Sequence, residues 1–204
     1  MDCGFDHIYP NSVELTIANS RIRVDFGFPA MLAVLCLCAD GGFLLRTLSV
    51  CMLHEIGHGS AMLLTGAGIR EVHLYAAGMQ MRTSPHLLSK PRELAVLLSG
   101  PLVNLLAACS LYFCFGWCDT ALLHLGMGLF NLLPFSVLDG GSAIACLSEG
   151  KPCLLRMQTV LCILLSASAV IFALYFGIRN PCIYLMCIYL CVTQLRVDKQ
   201  GGMW

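Results

Sequence analysis

Apolar residues in this chain gather into blocks separated by short polar breaks. Each block runs roughly 18 to 25 residues, the length a helix needs to cross about 30 Å of hydrocarbon. They fall at about Gly27 to Leu45, Thr47 to Thr65, Pro91 to Phe115, Thr120 to Leu138, Cys153 to Phe176 and Pro181 to Leu195. The pattern predicts an all-α polytopic membrane protein with about six transmembrane helices.

Two stretches follow a different period. Residues 12 to 26, SVELTIANSRIRVDF, alternate apolar positions (Val13, Leu15, Ile17, then Ile22, Val24, Phe26) around Asn19 and Ser20, the mark of a short amphipathic hairpin. The longest polar break, AGIREVHLYAAGMQMRTSPHLLSK at 67 to 90, has strand-like segments (Ile69, Val72, Leu74, then Met79, Met81) around Ala76, Ala77 and Gly78. A second short membrane-associated β-hairpin is expected there. The division is then an N-terminal cytoplasmic or interfacial hairpin at 1–26, a membrane domain at 27–196 and a short tail at 197–204. Asp40 interrupts the first block and is expected near the membrane surface or facing a partner group.

Composition strengthens this picture. Of 204 residues, 58% are hydrophobic and only 12% charged, with mean hydropathy +0.79, whereas soluble domains carry about 25% charged residues. The net charge is zero and no basic tract with interleaved aromatics occurs, so nucleic acid is excluded as a partner. Most of the thirteen cysteines lie inside apolar runs and none form a CxxC pair, which makes them packing residues. The N-terminus lacks the basic start and cleavage site of a signal peptide, so insertion is expected to rest on the first span. With about six spans and both ends inside, Arg21, Arg23, Arg70, Arg82, Lys90, Arg92, Lys151, Arg156, Arg196 and Lys199 fall on the cytoplasmic side. Only Arg46 and Arg179 fall outside, which orients a multi-pass protein of the cell membrane.

The chemistry concentrates in VCMLHEIGHGSAMLL, residues 50 to 64. His54-Glu55-Ile56-Gly57-His58 fits H-E-x-x-H. Residues four apart share a helix face, so both imidazoles can reach one zinc ion. Glu55 lies beside them, where it could take a proton from a water acidified by zinc. The surrounding hydrophobicity excludes a soluble zinc protease. A zinc site needs a third protein ligand. The best candidate is Asp139 in FNLLPFSVLDGGSA, at the cytoplasmic end of the fourth block, where Pro134 should kink or open the helix. On its own, Asp-Gly-Gly reads more readily as a turn at a membrane exit.

Taken together, HEIGHG, NLLPFSVLDGG and SGPLVNLLAA (Ser99 to Ala108) resemble, in the same order, the motifs of the site-2 proteases, a family of intramembrane zinc metalloproteases. They cover about Leu48 to Ser142. The short layout is most similar to the branch containing the stage IV sporulation protein FB, which cleaves a membrane-tethered sigma-factor precursor. The resemblance implies His54, His58 and Asp139 as ligands of one Zn2+ and Glu55 as the catalytic acid and base. It also implies substrate or oxyanion contacts for Asn131, and a place near the site for Gly100, Pro101 and Asn104, with Asn104 a further candidate for substrate contact. LYAAGMQMR resembles the hairpin thought to present an extended substrate by strand addition. The expected partners are a membrane-spanning or membrane-tethered protein substrate and inhibitory membrane proteins.

Two departures stand out. Leu132 replaces the first proline of the family's Asn-Pro-x-Pro, and only a short RVDKQGGMW follows the last block, so regulation through a nucleotide-sensing domain is not expected. His73, His86 and His124 match no motif, and His124 is expected to be packed or hydrogen-bonded. Two rival readings are a transporter built on Asp40, His54, Glu55, His58 and Asp139, and a non-catalytic relative that binds clients. Clustering of the polar groups at two places argues against the first, and an intact Glu55 against the second.

Overall fold

The computed structural model describes residues 12–17, 20–67, 69–75, 78–83, 89–148 and 151–201. Asn19, Ala76, Ala77, His86 and the last residues of the tail, 202–204, lie outside them. The order is β1 (Ser12–Ile17), β2 (Ser20–Asp25), α1 (Gly27–Cys38), α2 (Gly41–Thr65), β3 (Ile69–Tyr75), β4 (Gly78–Thr83), α3 (Lys90–Phe115), α4 (Asp119–Asn131), α5 (Asp139–Ser148), α6 (Pro152–Tyr175) and α7 (Pro181–Gly201).

The two hairpins join into one four-stranded sheet, β1-β2-β3-β4, with β2 and β3 parallel. Register and the two-residue period of strands sort the side chains. Val13 and Leu15 oppose Val24 and Ile22, which neighbour Leu74 and Val72, so these six share an apolar face. Glu14, Arg23 and His73 line the other, where Arg23 pairs with Glu14 and, at 3.7 Å, with Glu71.

The helices are apolar outside and bury several polar side chains among the apolar ones. Leu64 is 88% exposed and Phe113 83%, while His54, Asn104, His124, Gln158 and Gln194 are buried. Water would reverse that distribution; a hydrocarbon surround favours it. Among the described residues two helices, α3 and α6, against the six spans expected, are long and apolar enough to cross a membrane by length and composition, and shorter apolar stretches occupy Gly27–Leu37 and Pro181–Val197. The 25-residue α2 carries the histidines and Glu55, which dilute its apolar character. Helix α2 packs on α3, α3 on α4 and α5, and α6 pairs with α7.

Two boundaries differ from those expected. The first block breaks at Ala39 and Asp40, because the Asp40 carboxylate caps α2 by accepting from Gly42 N (3.0 Å) and Phe43 N (3.2 Å). Arg46 thus lies within α2, near Asp119 at the start of α4, instead of closing a span. The fourth block divides in two. Helix α4 stops at Asn131, tightens through Leu133 N to Phe130 O (3.1 Å), and gives way to an irregular segment, 132–138. Pro134 has no N–H to continue the ladder, so one proline suffices to open the helix. Asp139 therefore begins α5 instead of ending α4.

Candidate metal centre

Helix α2 is stopped by Gly66, whose φ of 74° only glycine adopts at little cost, with Ala67 N bonding back to Met62 O (2.9 Å). Between cap and stop, the four-residue spacing puts His54 and His58 on the face that meets α3, and both are buried. The approach is close. A Cβ on Gly57 would meet Ser99 O at 3.0 Å and Gly100 Cα at 3.1 Å, and one on Gly100 would fall on the His58 ring. Glycine at both positions lets the imidazole lie flat against the α3 backbone.

His58 Nδ1 lies 2.8 Å from Val96 O. A carbonyl only accepts, so Nδ1 carries the proton and a neutral His58 turns the Nε2 lone pair inward. That lone pair faces His54 Nε2 at 3.1 Å and Asp139 Oδ2 at 3.3 Å, while His54 Nε2 and Asp139 Oδ2 are 3.0 Å apart. Two acceptors, the His58 lone pair and a carboxylate oxygen, thus point at one another, an arrangement that a shared cation satisfies. The triangle also has the right size. With metal–nitrogen distances of about 2.0–2.1 Å, neighbouring ligand atoms of a tetrahedral zinc ion lie about 3.3 Å apart. His54, His58 and Asp139 therefore form a group that can hold a metal ion.

Asp139 reaches this point because of the break before it. Cβ atoms on Gly140 and Gly141 would run into the backbone of Leu132, Leu133, Phe135 and Ser136, so the double glycine is what allows the irregular segment to fold onto the first turn of α5. Backbone groups of the break and of the first turn of α5 find partners on α6 and α7. Gln158 Nε2 donates to Pro134 O (2.7 Å) and Gly141 O (3.3 Å), and Cys162 Sγ donates to Pro134 O (3.1 Å). Ser136 N donates to Gln194 Oε1 (2.8 Å), while Gln194 Nε2 donates to Thr159 Oγ1 (3.2 Å). Phe135, Cys162 and Leu190 close a small apolar cluster around these bonds. In hydrocarbon an unpaired backbone group costs several kcal/mol, so the two buried glutamines are what make the break tolerable.

Asn104, fully buried one turn beyond Gly100 on α3, bridges two histidines. Its Nδ2 lies 3.2 Å from His54 Nδ1, and its Oδ1 lies 3.1 Å from Nδ1 of His124, buried on α4. Glu55 is half-buried and within electrostatic reach of His58, His54 and Asp139. Asn131 donates from Nδ2 to Met127 O (3.0 Å) on its own helix. His73 sits in the sheet, 2.9 Å from Asp25. Of the sequence-derived candidates, the fold thus gathers His54, His58, Asp139 and Asn104 into direct contact and leaves Asn131 engaged at the end of α4. Val96 O, Gln158 and Gln194 carried no motif, and His124, expected to be packed or hydrogen-bonded, is buried and bonded to Asn104. The signal available for the glutamines was a long amide in an apolar run, where a side chain that both donates and accepts must find backbone to bond.

Comparison with solved structures finds the same fold in the site-2 protease of Methanocaldococcus jannaschii, with TM-score 0.60 and 22% identity over 91% of this chain and 94% of that one. No protein-family model matches the sequence, and no curated protein matches it.

Proposed function

We propose that this chain is a zinc-dependent intramembrane endopeptidase that cleaves a membrane-embedded or membrane-tethered protein within or near its transmembrane segment. The observation that carries the reading is the convergence of His54 Nε2, His58 Nε2 and Asp139 Oδ2 to 3.0–3.3 Å inside a bundle whose outer surface is apolar. The fold shared with a site-2 protease supports it.

His54, His58 and Asp139 would hold one Zn2+, which when bound would supply Lewis acidity for the scissile carbonyl and for the attacking water. Glu55, next to His54 on α2, accepts the proton of that water and returns it to the leaving amine. Asn104 orients the His54 ring, and Asn131 is assigned to the substrate side of the site by its motif position. A substrate helix must unwind to offer its carbonyl, since helical carbonyls are already bonded. Charge distribution supports a cytoplasmic site. Arg21 and Arg23 lie on the strand before α1, Lys90 and Arg92 at the start of α3 and Arg156 in the first turns of α6, whereas Arg46 lies within α2 beside Asp119. On the motif resemblance, a tethered sigma-factor precursor is the first substrate to try.

The test is quantitative proteomics of membranes from cells expressing the parent or Glu55→Gln. Uncleaved substrate should accumulate with Glu55→Gln, and stripping zinc with a chelator should stop cleavage by purified parent until zinc is restored. Cleavage that continues undiminished in purified Glu55→Gln protein would defeat the assignment.

A further inference from the structure

We infer that His124 is a positioning residue for the metal centre, acting through Asn104 to decide which nitrogen of His54 carries the proton. The inference rests on the reading of His54, His58 and Asp139 as zinc ligands. Its physical basis is the chain of contacts from His124 Nδ1 to Asn104 Oδ1 (3.1 Å) and from Asn104 Nδ2 to His54 Nδ1 (3.2 Å), all three residues being buried. The Asn104 amide is 0% exposed, so bulk solvent does not reach it to substitute for a missing partner.

An amide has one donating end and one accepting end, so the end it turns to His54 selects the tautomer. With Nδ2 toward His54, Nδ1 accepts and the His54 proton sits on Nε2, the atom that faces His58 and Asp139. With the amide turned over, Oδ1 receives Nδ1–H, and the Nε2 lone pair is free to bind metal. Turning Asn104 requires a neighbour on its other side that can exchange roles at the same atom. Imidazole does this: His124 Nδ1 donates in one neutral tautomer and accepts in the other. Each ring keeps one proton, that of His54 passing from Nε2 to Nδ1 and that of His124 from Nδ1 to Nε2. An aliphatic residue could pair with neither end, and lysine or arginine only with the oxygen. This accounts for a histidine in the middle of an otherwise apolar or small-residue helix, where packing alone would be served by leucine or phenylalanine.

The experiment measures zinc affinity of purified full-length protein by competition with a metallochromic chelator. His124→Phe, which keeps a ring but no nitrogen, should weaken zinc binding about 10- to 100-fold, the range for outer partners of ligating histidines. His124→Gln, whose amide can offer Asn104 either end, should recover most of that loss. In an Asn104→Ala background, His124→Phe should cost nothing more. Nitrogen-15 spectra of labelled imidazoles test the parent directly: with zinc bound, His124 should be protonated at Nε2 and bare at Nδ1. The proposal is overturned if His124→Phe binds zinc like the parent, if its cost persists without Asn104, if His124→Gln is as weak as His124→Phe, or if zinc-loaded parent keeps a proton on His124 Nδ1. His58→Ala is the control: zinc binding as tight as the parent's would bring down the zinc reading itself, and this inference with it.

Discussion

The two halves of the centre are built in opposite ways. His54 and His58 stand on an unbroken helix, capped by Asp40 and ended by Gly66, and their rings are fixed by neighbours on α3: Val96 O for one and Asn104 for the other. Asp139 stands on the first residue of α5, after a segment with no regular ladder, and its position depends on glutamines from α6 and α7 that lie far away in sequence. The helix supplies its own backbone bonds, so it needs only close packing to place a side chain. The break must have its bonds supplied from outside, and every supplier becomes part of the site.

The largest effects should come from filling the space each half depends on. In Gly141→Ala the new methyl lands on the backbone of Phe135 and Ser136, so the irregular segment must move and carry Asp139 with it. Cleavage should fall about a hundredfold or more, since displacements near 1 Å suffice for that, and stability by about 1–3 kcal/mol. In Gly100→Ala the obstacle is the His58 ring, a side chain that can be pushed aside. Zinc binding should fail comparably, with a smaller loss in unfolding temperature. Zinc stoichiometry and thermal unfolding in detergent separate the two; a Gly141→Ala protein that binds zinc and cleaves normally would show the break to be a loose tether.

The same contrast explains what was legible in the sequence. His54, Glu55 and His58 could be read because an α-helix turns a spacing of four into a shared face. The sheet strands were visible as alternation at Val13 to Ile17 and Ile22 to Phe26, but their joining through parallel β2 and β3 was not, because pairing between distant strands leaves no local pattern. Asp139 was reachable only through its motif, since nothing local says where a chain freed by Pro134 will go. The boundaries at Asp40 and Asn131 were hidden for a related reason. Apolar character continues across both breaks, and what ends a helix there is one carboxylate capping two amides and one missing N–H. Gln158 and Gln194 escaped notice because their role is defined by backbone 17 to 58 residues away in sequence.

An intermediate effect is expected from removing those amides. Gln158→Leu leaves Gly141 O without its side-chain donor and Pro134 O with only the weaker thiol of Cys162; Gln194→Leu removes the acceptor of Ser136 N. Each should cost about 1–3 kcal/mol, the penalty for stranding a buried polar group. Zinc affinity should fall as Asp139 drifts, and Gln158→Leu should add little to Asp139→Ala, whereas it should add fully to His58→Ala. Additivity with both ligands would mean that Gln158 supports the bundle in general.

The smallest effect tests the independence of the helical half. Asp40→Ala removes the carboxylate that caps α2 and should cost about 1 kcal/mol of stability, with Asp40→Asn, which can still accept from the same amides, recovering most of it. The cap lies about 20 Å along the helix axis from His54. Between them α2 has several turns of intact ladder and packs along α3, so fraying at the start should die out before it reaches the imidazoles. Zinc affinity and cleavage should stay at the parent's level while the unfolding temperature falls. A matching loss of zinc affinity would mean that the helix transmits strain along its length, and that the histidine half is as dependent on remote support as the carboxylate half.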